Sequence, residues 1–143
     1  MTTPLNPQAR AARLEVLRRK YMAQIIAAAA RHGDPVRVAP YALTQSGTER
    51  HADLELIEKY TAGKGWHLTH VTFADVGQPP PLEQRLGFGA ACRLATRGYA
   101  HGILAIARPA ITTDNETYAQ VLEHLHLRGV FLAYLPTEHD TPT

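Results

Sequence analysis

Apolar side chains at Leu14, Leu17, Tyr21, Ile25 and Ala28 recur every three to four positions, the period of a helix with one buried face. The pattern predicts a helix from about Pro7 to Arg31, closed by His32-Gly33 with Pro35 just beyond. The period then changes. "VRVAPYAL" (36–43), "WHLTHVTFA" (66–74), "GILAIA" (102–107) and "VFLAYL" (130–135) are short apolar runs that predict strands. Helical patterns at 48–62, 82–97 and 115–128 separate them. Gly63-Lys64-Gly65, Arg97-Gly98 and Arg128-Gly129 stand where helix C-caps fall, and "GQPPP" (77–81) suits only a loop.

Strand–helix alternation with short connections predicts an α/β fold: about four strands in a mainly parallel sheet flanked by helices. Pro40 interrupts the first strand run and predicts a sheet edge, a bulge or a late strand start. The expected organisation is an N-terminal basic amphipathic helix (1–35), an α/β domain (36–136) and a disordered tail (137–143).

The 143 residues, 45% hydrophobic, suit one domain with a core of its own. No apolar run approaches the ~20 residues of a membrane-spanning helix, so no membrane association is expected. A single cysteine, Cys92, allows no intrachain disulfide, and the N-terminus lacks the apolar stretch of a secretory signal. A cytoplasmic protein is the expectation. The net charge of +2 is unevenly spread. Residues 1–33 hold six Arg/Lys against one acid, and the remainder nine against twelve.

"LELIEKYTAGKGWHLTHVTFAD" (Leu54 to Asp75), "RLGFGAACRLATRGYAHGILAIA" (Arg85 to Ala107) and "YAQVLEHLHLRGVFLAYL" (Tyr118 to Leu135) follow one another with these elements. Over roughly residues 38–135 the chain resembles the N-terminal catalytic domain of serine recombinases, the resolvases and invertases. The resemblance implies a resolvase-like fold carrying an extra N-terminal helix. In that family a serine in a Tyr-x-Arg-Val-Ser pattern attacks a DNA phosphate. Arginines, some in an Asp-Arg-Leu-x-Arg pattern, neutralise the charge that builds there, a task that suits bidentate guanidinium groups. Here Tyr41 matches the tyrosine, but Gln45 stands at the serine position and Leu43 at the arginine. A one-residue slip recovers Ser46 and puts Thr44 where the arginine belongs. In "ARPAITTD" (107–114), Pro109-Ala110 replace Asp-Arg and Thr113 the second arginine. Arg85 matches a family arginine, and Arg108 lies near but displaced.

The resemblance therefore implies a degenerate, catalytically deficient member acting by DNA or protein association. If the chain is instead an active strand-transfer enzyme, Ser46 is the nucleophile and Arg50, Arg85 and Arg108 are its arginines. A small-ligand-binding regulatory module is the third reading. Independently of the family, "SGTE" (Ser46 to Glu49) is a Ser-x-x-Glu capping box, which gives Ser46 a purely structural role. The basic helix offers Arg10, Arg13, Arg18, Arg19 and Lys20 to DNA phosphates, or its apolar stripe to a second copy of the chain or another protein. Eight histidines do not make a metal site. His67 and His70 fall on opposite faces of a strand, and His124 and His126 are about 200° apart on a helix. No Gly-x-Gly-x-x-Gly or phosphate loop is present, since "GFG" (87–89) is too short, so no cofactor is expected.

Overall fold

The computed structural model describes residues 6–136. The expected tail, 137–143, lies outside them. The first helix, α1 (Pro7–Arg31), has the predicted bounds. Asn6 accepts a hydrogen bond from the Ala9 amide at 2.7 Å, and Pro7 fills the first helical position, where a missing N–H costs nothing. Then follow β1 (Arg37–Thr44), α2 (Gly47–Lys64), β2 (His67–Leu68) and β3 (Phe73–Val76). A 3-10 turn (Leu82–Gln84) leads into α3 (Leu86–Leu94) and a wide helical turn (Ala95–Tyr99). The chain closes with β4 (Gly102–Ala105), a second 3-10 turn (Arg108–Ala110), α4 (Asn115–Leu127) and β5 (Phe131–Tyr134).

All pairings are parallel, and β1 is central. On one side it pairs with β2 and then β3, on the other with β4, which pairs with β5. Alternating residues sort to two faces. Ala39, Tyr41, Ile103, Ala105 and Leu132 meet Phe88 and Ala91 of α3 and Tyr118, Leu122 and Leu125 of α4. Val38, Leu104, Phe131 and Ala133 meet Ile57 of α2. A sheet covered on both sides explains why the strands read as near-continuous apolar runs.

Three expectations are corrected. The "WHLTHVTFA" strand is two pieces, because the chain leaves the ladder after the Thr69 amide and Thr69 Oγ1 donates to Val71 O at 2.7 Å across the bend. The helix expected over 82–97 is broken at Arg85, whose backbone is extended (φ −76°, ψ 121°) after the three prolines. Pro40 is buried in the central strand, at no edge. The carbonyls of Val36, Val38 and Thr44 accept from His67, Thr69 and Gly77, so even-numbered residues of β1 face β2 and β3. The missing N–H of Pro40 therefore points into the gap between those strands, where no acceptor waits.

α1 lies along the outer edge of β5 and also touches α4. Leu14 joins the α3/α4 side of the core, with Tyr21 packed against it, and Met22, Ile25 and Ile26 pack on the α2 side. Between them sits Arg18, 6% exposed. Its Nη1 donates to Leu132 O at 2.8 Å, and Nε and Nη2 hold Glu15 at 2.9 and 2.5 Å. The amides of Phe131 and Leu135 bond β4, so Leu132 O belongs to the free edge. Arg18 was expected among the DNA-facing cations; it caps a strand edge instead, because it shares the buried stripe with Leu14 four residues earlier.

Candidate functional site

In open parallel sheets the crevice forms outside the carboxyl ends of the strands, where the chain order reverses. Here that point lies between β1 and β4, with α2 on one face and α3 on the other. Ser46 stands at its rim, exposed, between β1 and the first turn of α2. Its Oγ accepts from the Glu49 amide at 3.2 Å, as the capping box predicts. The return bond is shifted by one residue: Glu49 Oε2 accepts from the Gln45 amide at 2.9 Å. Thr44 Oγ1 donates to Ser46 O at 3.0 Å and tightens the corner. The nearby imidazole of His51 is turned to Glu55, 3.7 Å away along the helix.

Among the described residues no arginine hydrogen-bonds this hydroxyl. Arg50 is exposed and makes no side-chain hydrogen bond or ion pair among the described residues. Arg85, 9% exposed, donates from Nε to Pro80 O at 3.1 Å and from Nη1 to Ala110 O at 2.9 Å, tying two loops together. Arg108 donates to Thr112 O, Thr113 O and Asn115 Oδ1 at 3.1, 3.4 and 2.8 Å, and lies 4.1 Å over the Tyr118 ring. Of the basic side chains on α1, Arg10, Arg13, Arg19 and Lys20 are exposed; Arg19 also holds Glu15 at 3.0 Å.

Two arrangements were not foreseen. Asp75, at the end of β3, accepts from the Tyr41 hydroxyl at 2.7 Å and from the amides of Gly87 and Phe88 at 3.0 Å each. It caps α3 from a distance, because Arg85 at the N-cap position offers no oxygen. Gly87 is required: a Cβ there would stand 2.2 Å from Ala74 O. The first glycine of "GFG" thus serves helix–strand contact. Burial pushes the Tyr41 phenol well above its ordinary value, and the Asp75 carboxylate adds to the shift. The available signal was an α3 start without a local cap and an aspartate just after an apolar strand. The second arrangement is a tyrosine pair, Tyr118 and Tyr134, with hydroxyls 2.7 Å apart and Arg18 4.9 Å over the Tyr134 ring. Burial raises both phenols. The Glu15 carboxyl beside them is raised by burial but lowered overall by Arg18 and Arg19.

No protein-family model and no curated protein matches the sequence. Among solved structures, the chain is similar to the C-terminal catalytic domain of ISC1926 TnpA, an IS607-like serine recombinase. The identity is 16% and the TM-score 0.61, over 71% of each chain. The fold is resolvase-like. At that identity the likeness speaks for architecture, and the resolvase-like order of elements is the one described above. Ser46 stands at the corner after the central strand, and the Tyr41 hydroxyl is held by Asp75. No helix among the described residues is long and apolar enough to cross a membrane.

Proposed function

We propose that this chain is a resolvase-like domain without strand-cleavage chemistry that acts by association with DNA. The observation that carries the reading is the bonding of Ser46 as a helix cap with no arginine hydrogen-bonded to it among the described residues, while Arg85 donates to Pro80 O and Ala110 O. Attack on a phosphodiester adds charge to an anionic centre, and catalysis needs guanidinium donors already aimed at it. Turning Arg85 toward a phosphate would break its bonds to the part-buried Pro80 O and Ala110 O, at about 1–3 kcal/mol in all. Ser46 meanwhile has the bonding of a helix cap.

DNA contact is carried by the outer side of α1. Arg10, Arg13 and Lys20 border one surface groove there, spread over about 15 Å of helix, while Arg19, nine residues from Arg10, turns to the opposite side. Three neutralised phosphates give a logarithmic salt slope of about −2.7. Gel retardation of duplex DNA should show that slope, and neutralising the three side chains to glutamine should abolish binding. Deleting residues 1–33 is no substitute, because it would remove Leu14 and Arg18 from the core. Incubation with supercoiled or nicked DNA should yield no covalent protein–DNA adduct. An adduct lost in Ser46→Ala would overturn the reading in favour of an active serine recombinase.

A further inference from the structure

Along β5, on the side of the sheet that carries α2, a groove of about 300 Å³ opens between α1 and α2. Ala133 and Leu135 contribute to its lining, and the small side chain at 133 leaves it open. The charge around it is one-sided: Arg18, Arg19, Lys64 and Arg108 stand against a single carboxylate, Glu15. Arg18 and Glu15 satisfy one another, which leaves three cations around an apolar floor.

The two ends differ chemically. At one, Tyr60 and Trp66 meet edge to face, with centroids 6.1 Å apart and planes at 87°, and Trp66 is backed by Phe131 at 6.0 Å. Lys64 Nζ lies 5.9 Å from the Tyr60 ring and 5.6 Å from the Trp66 ring, and it has no acidic partner among the described residues. At the other end, Arg108 keeps Nη1 uncommitted and Arg19 keeps both terminal nitrogens. Planar aromatic surface suits the π-face of a nucleobase, and free guanidinium nitrogens suit phosphate oxygens.

We propose that this groove binds a nucleoside phosphate, the base at Tyr60 and Trp66 and the phosphate toward Arg19 and Arg108. The same chemistry is offered by a free nucleotide and by the phosphorylated end of a DNA strand. The proposal is independent of the phosphate contacts on the outer side of α1, since the two surfaces share no lining residue.

Trp66 is the chain's one tryptophan, so its fluorescence reports on this groove alone. The intact protein is titrated with AMP, a 5′-phosphorylated oligothymidylate, adenosine and inorganic phosphate. Saturable quenching by AMP, with adenosine and inorganic phosphate inert at the same concentrations, supports a free nucleotide. Quenching by the phosphorylated oligonucleotide alone, lost on removing its 5′-phosphate, supports a strand end. Arg19→Gln and Lys64→Gln should each weaken the response about tenfold, the value of one charge-assisted contact. Both side chains are exposed, so their melting curves should match the parent. The proposal is overturned if neither AMP nor the oligonucleotide quenches Trp66, if inorganic phosphate acts as well as AMP, or if both variants titrate like the parent. Lys64→Gln also keeps the two binding modes apart, because it leaves the outer face of α1 untouched.

Discussion

Replacing Arg18 by alanine tests whether α1 belongs to the body of the domain. The substitution removes a charged hydrogen bond to Leu132 O at 2.8 Å in a buried setting, worth about 1.5–3 kcal/mol, and leaves an edge carbonyl of β5 without a partner. It also removes the guanidinium from the Tyr134 face, about 0.5–1 kcal/mol, and exposes packing held by the aliphatic stem. Glu15 is 36% exposed and keeps Arg19, so its own loss is screened and small. The expected total is about 3 kcal/mol, or a fall of about 10 °C in melting temperature for a domain of this size. Urea unfolding followed by circular dichroism measures it. Arg19→Ala, which removes an exposed partner of the same carboxylate, should cost no more than about 0.5 kcal/mol. The pH dependence carries a sign. Glu15 has a lowered pKa in the fold, so its contribution is fully present above the ordinary carboxylate value and fades as pH falls through the folded one. The gap between the parent and Arg18→Ala should therefore narrow in acid. The reasoning fails if Arg18→Ala unfolds with the parent while Arg19→Ala does not, or if Arg18→Ala loses DNA affinity with its stability intact.

Gly87→Ala should destabilise by about 3 kcal/mol or prevent folding, since the new methyl meets backbone at Ala74. Gly89→Ala, whose methyl would meet only the end of the Arg93 side chain, should be neutral or slightly stabilising; equal losses at both positions would refute the close-approach argument. Ser46→Ala should cost about 1 kcal/mol as a lost cap, and Ser46→Asp should recover most of it; a neutral Ser46→Ala in urea unfolding contradicts the capping role. Tyr41 and Tyr134 have phenols raised above 10.0 by burial, so the stability they confer is complete below that pH and declines above it, as the unfolded chain ionises first. Tyrosinate absorbance should therefore develop in two stages, the later one coinciding with alkaline unfolding; a single stage near 10 with the fold intact would rule this out.

Much of the architecture was legible because local signals agreed with tertiary burial. Asn6-Pro7 and Gly33 bracket α1 by chemistry that acts within one turn, and "SGTE" does the same at the start of α2. What escaped depended on distant partners. Residues 66–74 keep a plausible strand rhythm, and nothing within them states that β1 accepts them in two pieces. Pro40 predicted an edge, a bulge or a late strand start because which of its sides faces a gap is a property of the neighbouring strands. Arg18, Arg19 and Lys20 read as one basic run, yet successive helical residues turn by about 100°, and only Arg18 falls in line with Leu14. The candidate site divides in the same way. Ser46 as a cap was readable, whereas the engagement of Arg85 and Arg108 with loop carbonyls depends on where Pro80 and Ala110 come to lie.

The seat of α1 also orders events in time. Arg18 and Leu132 are 114 residues apart, and β5 is the last strand of the sheet. On a ribosome adding about 5–20 residues per second, the helix waits roughly 5–20 s before its partner strand emerges. Throughout that interval Leu14, Met22, Ile25 and Ile26 have no edge to cover, and the early strands form without the helix that will close the sheet. Such long-range closure slows folding. The nascent chain therefore presents an amphipathic, basic helix to its surroundings before it has a domain to belong to, and chaperone dependence during synthesis should track α1 rather than the sheet.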